Sequence, residues 1–275
     1  MAGARSVTVL APGPLTTVQD SGRLGQGALG IGRSGACDRA SYRLANRLLG
    51  NADGVAVLEV TFGGLALRAD TDVVVAVTGA PCAGVPQNSP TALPAGGELR
   101  LGTPSTGLRT YVAVRGGFAV EPVLGSRSTD LLSGLGPAVV SAGDRLPVGL
   151  TAGEMPGVDV AAVPGPAAGN VSVRVLPGPR RDWFDEAMWA RLLGQEYRVS
   201  SESNRVGVRL EGDPLERARQ GELPSEGMVR GALQVPPSGV PVLFLADHPV
   251  TGGYPVIAYV VDDDYTLSLH DALPI

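Results

Sequence analysis

Val7-Thr8-Val9-Leu10, followed by Pro12-Gly13-Pro14, comes back at Val173-Arg174-Val175-Leu176, followed by Pro177-Gly178-Pro179. Each copy is a short apolar run closed by a turn signal, the pattern of a strand that ends abruptly. Between them, Thr151 to Asn170 (TAGEMPGVDVAAVPGPAAGN) is dense in small residues and proline, with weak periodicity, and reads as a linker. A repeated opening on either side of a linker predicts two similar, mainly-β subdomains packed together. The expected boundaries are residues 1–150 for the first, 151–170 for the linker and 171–261 for the second.

The rest of the chain agrees with short strands. Gly 39 and Pro 23 make up more than a fifth of its 275 residues, a density of turn formers that argues against long helices. Period-two segments dominate. Val7 and Val9 alternate with Ser6 and Thr8, Val73 to Val77 is a buried-strand run, and Tyr111 to Val114 stops at Gly116-Gly117. Val242 to Ala246 and Val256 to Val261 read as strands flanking the loop Asp247 to Pro255. Two helices are predicted. One follows Asp38 as N-cap, puts Leu44, Ala45, Leu48 and Leu49 on one face, and stops at Gly50-Asn51. The other follows Asp182, carries Asp185 and Glu186 in its first turn, and ends at Gly194. After Asp262-Asp263-Asp264 the run YTLSLHDALPI loses the preceding register, so residues 262–275 are expected to be a non-native tail and His270 is given no weight.

Composition narrows the chemistry. With a net charge of −5, nucleic acid is disfavoured as a partner. All 22 basic residues are Arg, so a P-loop lysine, a Schiff-base lysine and a biotin-attachment lysine are excluded from this chain. Cys37 and Cys82 cannot make a disulfide framework, and no Cys/His cluster has metal-ligand spacing, so no metal is expected. The N-terminus lacks the apolar core of a signal peptide, and the apolar runs are too short to span a bilayer. The expectation is a cytoplasmic protein without a membrane partner.

Four segments carry polar groups that folding alone does not demand. In Thr16 to Gln26, Gln19, Asp20 and Arg23 offer an amide, a carboxylate and a guanidinium that suit a small amide or carboxylate; the plainer alternative is an internal Asp20–Arg23 pair. In Gly32 to Asn46, Ser34, Gly35 and the amides after Asp38 form a possible anion site, unless Asp38 is only a cap. Cys37, with no histidine nearby, reads as buried packing. In Ser200 to Gly212, alternation with Val206, Val208 and Leu210 puts Arg205, Arg209 and Glu211 on one face, either solvated or clamping an anion. In Ser225 to Ala258, Glu226, Gln234, Asp247 and His248 fall at strand ends and turns, and His248 precedes the loop Thr251-Gly252-Gly253-Tyr254.

Thr16 to Gly25, Ser34 to Asn46, Ser225 to Gly227, the run GALQVPPSGVPV and the segment ADHPVTGGYP together resemble the biotin-dependent carboxyltransferase-like family, which includes the C subunit of 5-oxoprolinase, the KipI antagonist and allophanate hydrolase subunit 2. The resemblance runs from about Val7 to Val261. It implies two cyclophilin-like β-barrel subdomains with a few short helices. It also implies one component of an ATP-dependent 5-oxoprolinase, which opens a lactam to glutamate together with a KipI-like B subunit and a LamB/YcsF-type A subunit. On that basis Asp247 and His248 are expected to handle protons. Gln19, Asp20, Arg23, Ser34, Asp38, Arg205, Glu226, Gln234, Thr251, Gly252, Gly253 and Tyr254 are expected to bind substrate. Two alternatives stay open: a carboxyltransferase component using biotin carried on another chain, and a non-catalytic KipI antagonist. Family members often carry Lys where Val256 stands and Asp where Asn204 stands, so charges at those positions are missing here.

Overall fold

A computed structural model describes residues 5–151 and 153–261; the expected tail at 262–275 lies outside them. The first half is β1 (Ser6–Pro12), β2 (Leu15–Gln19), α1 (Arg39–Leu48), β3 (Val57–Thr61), β4 (Leu65–Ala69), β5 (Val73–Gly79), β6 (Pro90–Leu93), β7 (Glu98–Arg100), β8 (Arg109–Val114) and β9 (Arg145–Pro147). They form two antiparallel sheets, ordered β7-β4-β1-β9 and β2-β3-β8-β5-β6.

Alternation assigns the faces of the five-stranded sheet. Leu58, Val60, Val75, Val77, Val112 and Val114 join Val7, Val9, Leu65 and Leu67 of the other sheet in one core cluster. Val57, Ala76, Tyr111 and Ala113 face the opposite way and pack with Tyr42, Ala45, Leu48 and Leu49 of the helical segment. The helix forms where expected: the Asp38 carboxylate accepts from Ser41 N at 2.9 Å and caps it.

The second half is β10 (Val175–Pro177), α2 (Glu186–Gly194), β11 (Arg198–Val199), β12 (Gly207–Glu211), β13 (Glu226–Gly227), β14 (Ala232–Gln234), β15 (Val242–Phe244), β16 (Thr251–Gly252) and β17 (Val256–Val260). Six strands run in the order β10-β17-β14-β15-β12-β11, and β13 pairs with β16 as a ribbon. Trp183, Phe184, Leu192, Leu215, Leu233, Val235, Leu243 and Ile257 form their own core.

The fold is mainly β, as expected, but among the described residues the strands make open sheets and no closed barrel. The reason lies in the pairing: β7 and β9 are the edges of one sheet, β2 and β6 of another, and β10 and β11 of the third. The repeated openings also differ, since β1 lies between β4 and β9 whereas β10 is an edge strand. The second helix starts three residues later than the sequence suggested. Phe184 is extended at φ −129, ψ 141, and Asp185, not Asp182, caps the helix by accepting from Met188 N at 2.8 Å. Among the described residues no helix is long and apolar enough to cross a membrane.

Leu58 sits fully buried on β3, opposite Val18 of β2 and Val112 of β8. Leu58→Ala is expected to cost about 3 kcal/mol of stability through lost transfer energy and the cavity left behind, read as a lower midpoint in urea unfolding.

Candidate functional site

Three loops meet where the two halves touch: residues 20–35 after β2, residues 123–136 after β8, and residues 247–254 between β15 and β17. The first folds back on itself at close range. Arg23 N donates to Arg33 O at 2.7 Å and Ala36 N to Asp20 O at 3.0 Å. Gly22, at φ +86, leaves no room for a side chain, because a Cβ there would stand 2.6 Å from Arg33 O.

Gln19, Asp20 and Arg23 do come together, and the groups they grip belong to the chain itself. Asp20 Oδ1 accepts from Gly22 N (2.8 Å), Ser126 Oγ (2.7 Å) and Ser128 Oγ (2.6 Å), while Oδ2 accepts from Arg127 N (2.6 Å). Arg23 donates from Nη2 to Ser128 O at 2.6 Å and from Nε to Val123 O at 3.2 Å. Gln19 Nε2 donates to Thr129 O at 2.9 Å. All three residues are buried. Their direct task is to hold the 123–130 loop, with Gln19 Oε1, Arg23 Nη1 and Thr129 Oγ1 left buried without a hydrogen-bond partner.

Across the junction runs a buried ion network. Arg205, 1% exposed, donates to Asp247 through Nε (2.9 Å to Oδ2) and Nη2 (2.9 Å to Oδ1), to Gly35 O through Nη2 (2.7 Å), and to Glu59 Oε1 through Nη1. Its Nη1 also lies 3.3 Å from Cys37 Sγ. Glu59 pairs with Arg109 at 3.2 Å and accepts from Cys37 N and Tyr111 Oη, each at 2.8 Å. Asp247 accepts from Ser34 Oγ at 2.6 Å and from Leu131 N at 3.0 Å. Burial alone would raise the Glu59 carboxyl, but the Arg205 and Arg109 guanidinium groups, with the two hydrogen bonds, bring it down to about 2. Burial likewise pushes the Cys37 thiol up, so it is a packed thiol.

This corrects the solvated-face expectation for Arg205. The strand begins only at Gly207, so the alternation that leaves Arg209 and Glu211 exposed does not reach two residues further back. With both oxygens of Asp247 engaged, the carboxylate acts as a clamp. His248 is half-buried, and its Nδ1 lies 2.8 Å from Pro249 O. Burial lowers its pKa from 6.5; the Pro249 carbonyl, Asp247 and Asp130 act against that, and Arg230 adds to it. The imidazole is therefore neutral at neutral pH, and with Nδ1–H donated to the carbonyl, Nε2 carries the lone pair.

Of the remaining predicted residues, Asp38 joins the network through its N–H, which donates to Tyr111 Oη at 2.7 Å, and the others lie apart from it in their bonding. Asp38 caps α1 and borders a cavity of about 190 Å³ shared with Ser41, Gln87, Asn88 and Arg109. Glu226 pairs with Arg180 through both oxygens. Gln234 Nε2 donates to Tyr254 O at 3.2 Å, Thr251 and Gly252 form the ribbon with Glu226-Gly227, and Gly253 follows in its turn. Arg217 lies over the Tyr254 ring, 5.7 Å from its centroid. Sequence reasoning missed Glu59, Arg109 and the segment Ser126 to Asp130. For Glu59 a signal existed: a single charge inside the apolar run Val57-Leu58-Glu59-Val60 demands a buried counter-charge.

The model of the carboxyltransferase domain, subdomain A and B, matches residues 29–268. This chain belongs to that family. Within the carboxyltransferase-domain family, it is 39% identical over 265 residues to the C subunit of 5-oxoprolinase from Escherichia coli K12, covering 93% of this chain and 84% of the relative. The crystal structure of TTHA0988 matches with a TM-score of 0.87 at 38% identity, over 100% of this chain and 55% of that one. The Kluyveromyces lactis urea amidolyase structure matches with a TM-score of 0.89 at 29% identity, over 100% of this chain and 18% of that one. The chain thus spans most of a 5-oxoprolinase C subunit, about half of TTHA0988 and less than a fifth of urea amidolyase.

Because the folded pKa of Glu59, about 2, lies below its ordinary 4.5, its pairing stabilises the protein fully above pH 4.5 and is lost as pH falls toward 2. Glu59→Gln is expected to flatten the fall in the urea-unfolding midpoint across that window, relative to the unmodified protein measured in parallel.

Proposed function

We propose that this chain is the C subunit of an ATP-dependent 5-oxoprolinase, which with a KipI-like B subunit plus a LamB/YcsF-type A subunit hydrolyses 5-oxo-L-proline to L-glutamate in the cytoplasm. The observation that carries this reading is the 39% identity to a 5-oxoprolinase C subunit over 93% of the chain. A biotin-dependent carboxyltransferase role is less favoured, since urea amidolyase is 29% identical and the chain covers only 18% of it.

The lactam resists water because amide resonance stabilises it. Opening it requires a proton to leave the attacking water and a proton to reach the departing ring nitrogen. A neutral imidazole does both in turn, and His248 is the side chain suited to it, with Nε2 as acceptor. Asp247 contributes by holding the loop, with both its oxygens engaged by Arg205, Ser34 and Leu131.

The arginines at this junction do not fit a nucleotide. Arg23 and Arg205 are buried against carbonyls and carboxylates, so neither guanidinium is open to a phosphate. ATP is therefore assigned to a partner protein of the complex. The same loops expose Leu24 (63%), Leu29 (72%), Leu124 (47%) and Leu132 (51%). Apolar tips on loops anchored this firmly suit a face that the KipI-like partner covers, excluding bulk solvent from the site while the attacking water is held at the imidazole.

The test is co-expression with the two partner proteins and measurement of glutamate formed from 5-oxoproline with and without ATP. ATP-dependent product that disappears when this chain is omitted supports the proposal; unchanged turnover in its absence sinks it. His248→Ala is expected to lower turnover about a hundredfold or more while the complex stays assembled; dissociation would make the residue structural. Since protonation removes the base, the acid limb of kcat/KM is expected below pH 6.5.

A further inference from the structure

Among the described residues, the hydrogen bond of the His248 ring goes to the carbonyl of the next residue. Its orientation is therefore inherited from the backbone of its own loop. That backbone is fixed one residue earlier. Asp247 N donates to Arg205 O at 3.0 Å, and both Asp247 oxygens sit in the Arg205 fork while also reaching Ser34 and Leu131. Arg205 is itself anchored in the first half through Glu59 and Gly35 O.

We propose that Arg205 is a positioning residue for His248: gripped between Glu59 of the first half and Asp247 of the second, it sets the angle at which the 247–254 loop presents the imidazole. The chemistry it would serve rests on the function proposed above, but the positioning itself does not. A planar, bidentate fork fixes a carboxylate in orientation as well as distance, which a lysine ammonium cannot do. The charges that act on His248 are those of Arg230, Asp247 and Asp130. Loosening the fork hydrates the imidazole and leaves the Asp247 charge less neutralised, and both changes favour the imidazolium.

The chain has two histidines, His248 and His270. Imidazole NMR of the 13C-histidine-labelled full chain, alone and assembled with its two unlabelled partner proteins, is therefore readable, with His270→Gln assigning the signals. In Arg205→Lys the His248 signal is expected to shift and its titration midpoint to move up toward 6.5. In the complex kcat is expected to fall about a hundredfold, with KM changed less than about threefold. Arg109→Lys, at a buried guanidinium that pairs with the same Glu59 from β8, is expected to leave the His248 signal in place. An unmoved His248 signal in Arg205→Lys, or an equal shift in Arg109→Lys, overturns the proposal. Should Arg205→Lys fail to fold, Ser34→Ala removes one Asp247 contact and is expected to shift the signal in the same direction; no shift there overturns it too. A shifted signal in an assembly that never opens 5-oxoproline would sink the function and leave the positioning standing.

Discussion

A guanidinium sealed from water between carboxylates from two halves of the chain is the constraint on which the rest of this molecule turns. Arg205, Glu59 and Asp247 are each no more than 1% exposed. Removing such charges from water costs several kcal/mol apiece, and only close geometry with every donor satisfied offsets it. That condition is met here: the Arg205 donors reach two carboxylates, a carbonyl and a thiol. The network therefore adds little to net stability compared with a well-packed apolar core, yet it is intolerant of any other arrangement. Each half has its own apolar core, so what the network contributes is the register of one half against the other.

The loops follow from that register. The segments that follow β2, β8 and β15 carry the polar groups and bond to one another. Asp20 takes three donors from the 126–128 turn and a fourth from Gly22 N, a socket much as Asp247 is for Ser34 and Leu131. Loops so tightly tied to one another do not expose leucines because they are disordered. The apolar tips are presented by a rigid base, which is the physical signature of a surface that meets something.

Much of this architecture was legible from residue order. Period-two runs located β5, β8, β15 and β17, and Asp38 located the first helix, because burial of one face writes itself into local alternation. The placement of Asp20, Arg23, Ser34 and Asp247 in polar loops was legible too, whereas alternation put Arg205 on a strand that in fact begins only at Gly207. What each group bonds to was not legible. The Ser34 hydroxyl meets Asp247 across 213 residues, and Asp20 meets Ser128 across 108. No local pattern states which distant donor a carboxylate will take, so residues that look available for substrate are in fact occupied by their own chain. The closed barrel failed for a related reason: closure depends on whether the last strand pairs with the first, and that is a long-range fact.

One division of labour follows from the charges. A chain whose cations are all arginine lacks the compact, mobile ammonium that follows a phosphate through transfer. Arg23 and Arg205 at the junction are moreover fixed by carbonyls and carboxylates, so an incoming triphosphate would meet committed donors. A half-buried neutral imidazole is a different kind of resource. It needs no counter-charge, tolerates an apolar cover, and keeps a lone pair open to a proton at neutral pH because burial disfavours its charged form. Proton handling beside a leucine-rimmed surface is therefore the chemistry proposed for this junction, and that proposal leaves the energy-coupled step to another chain.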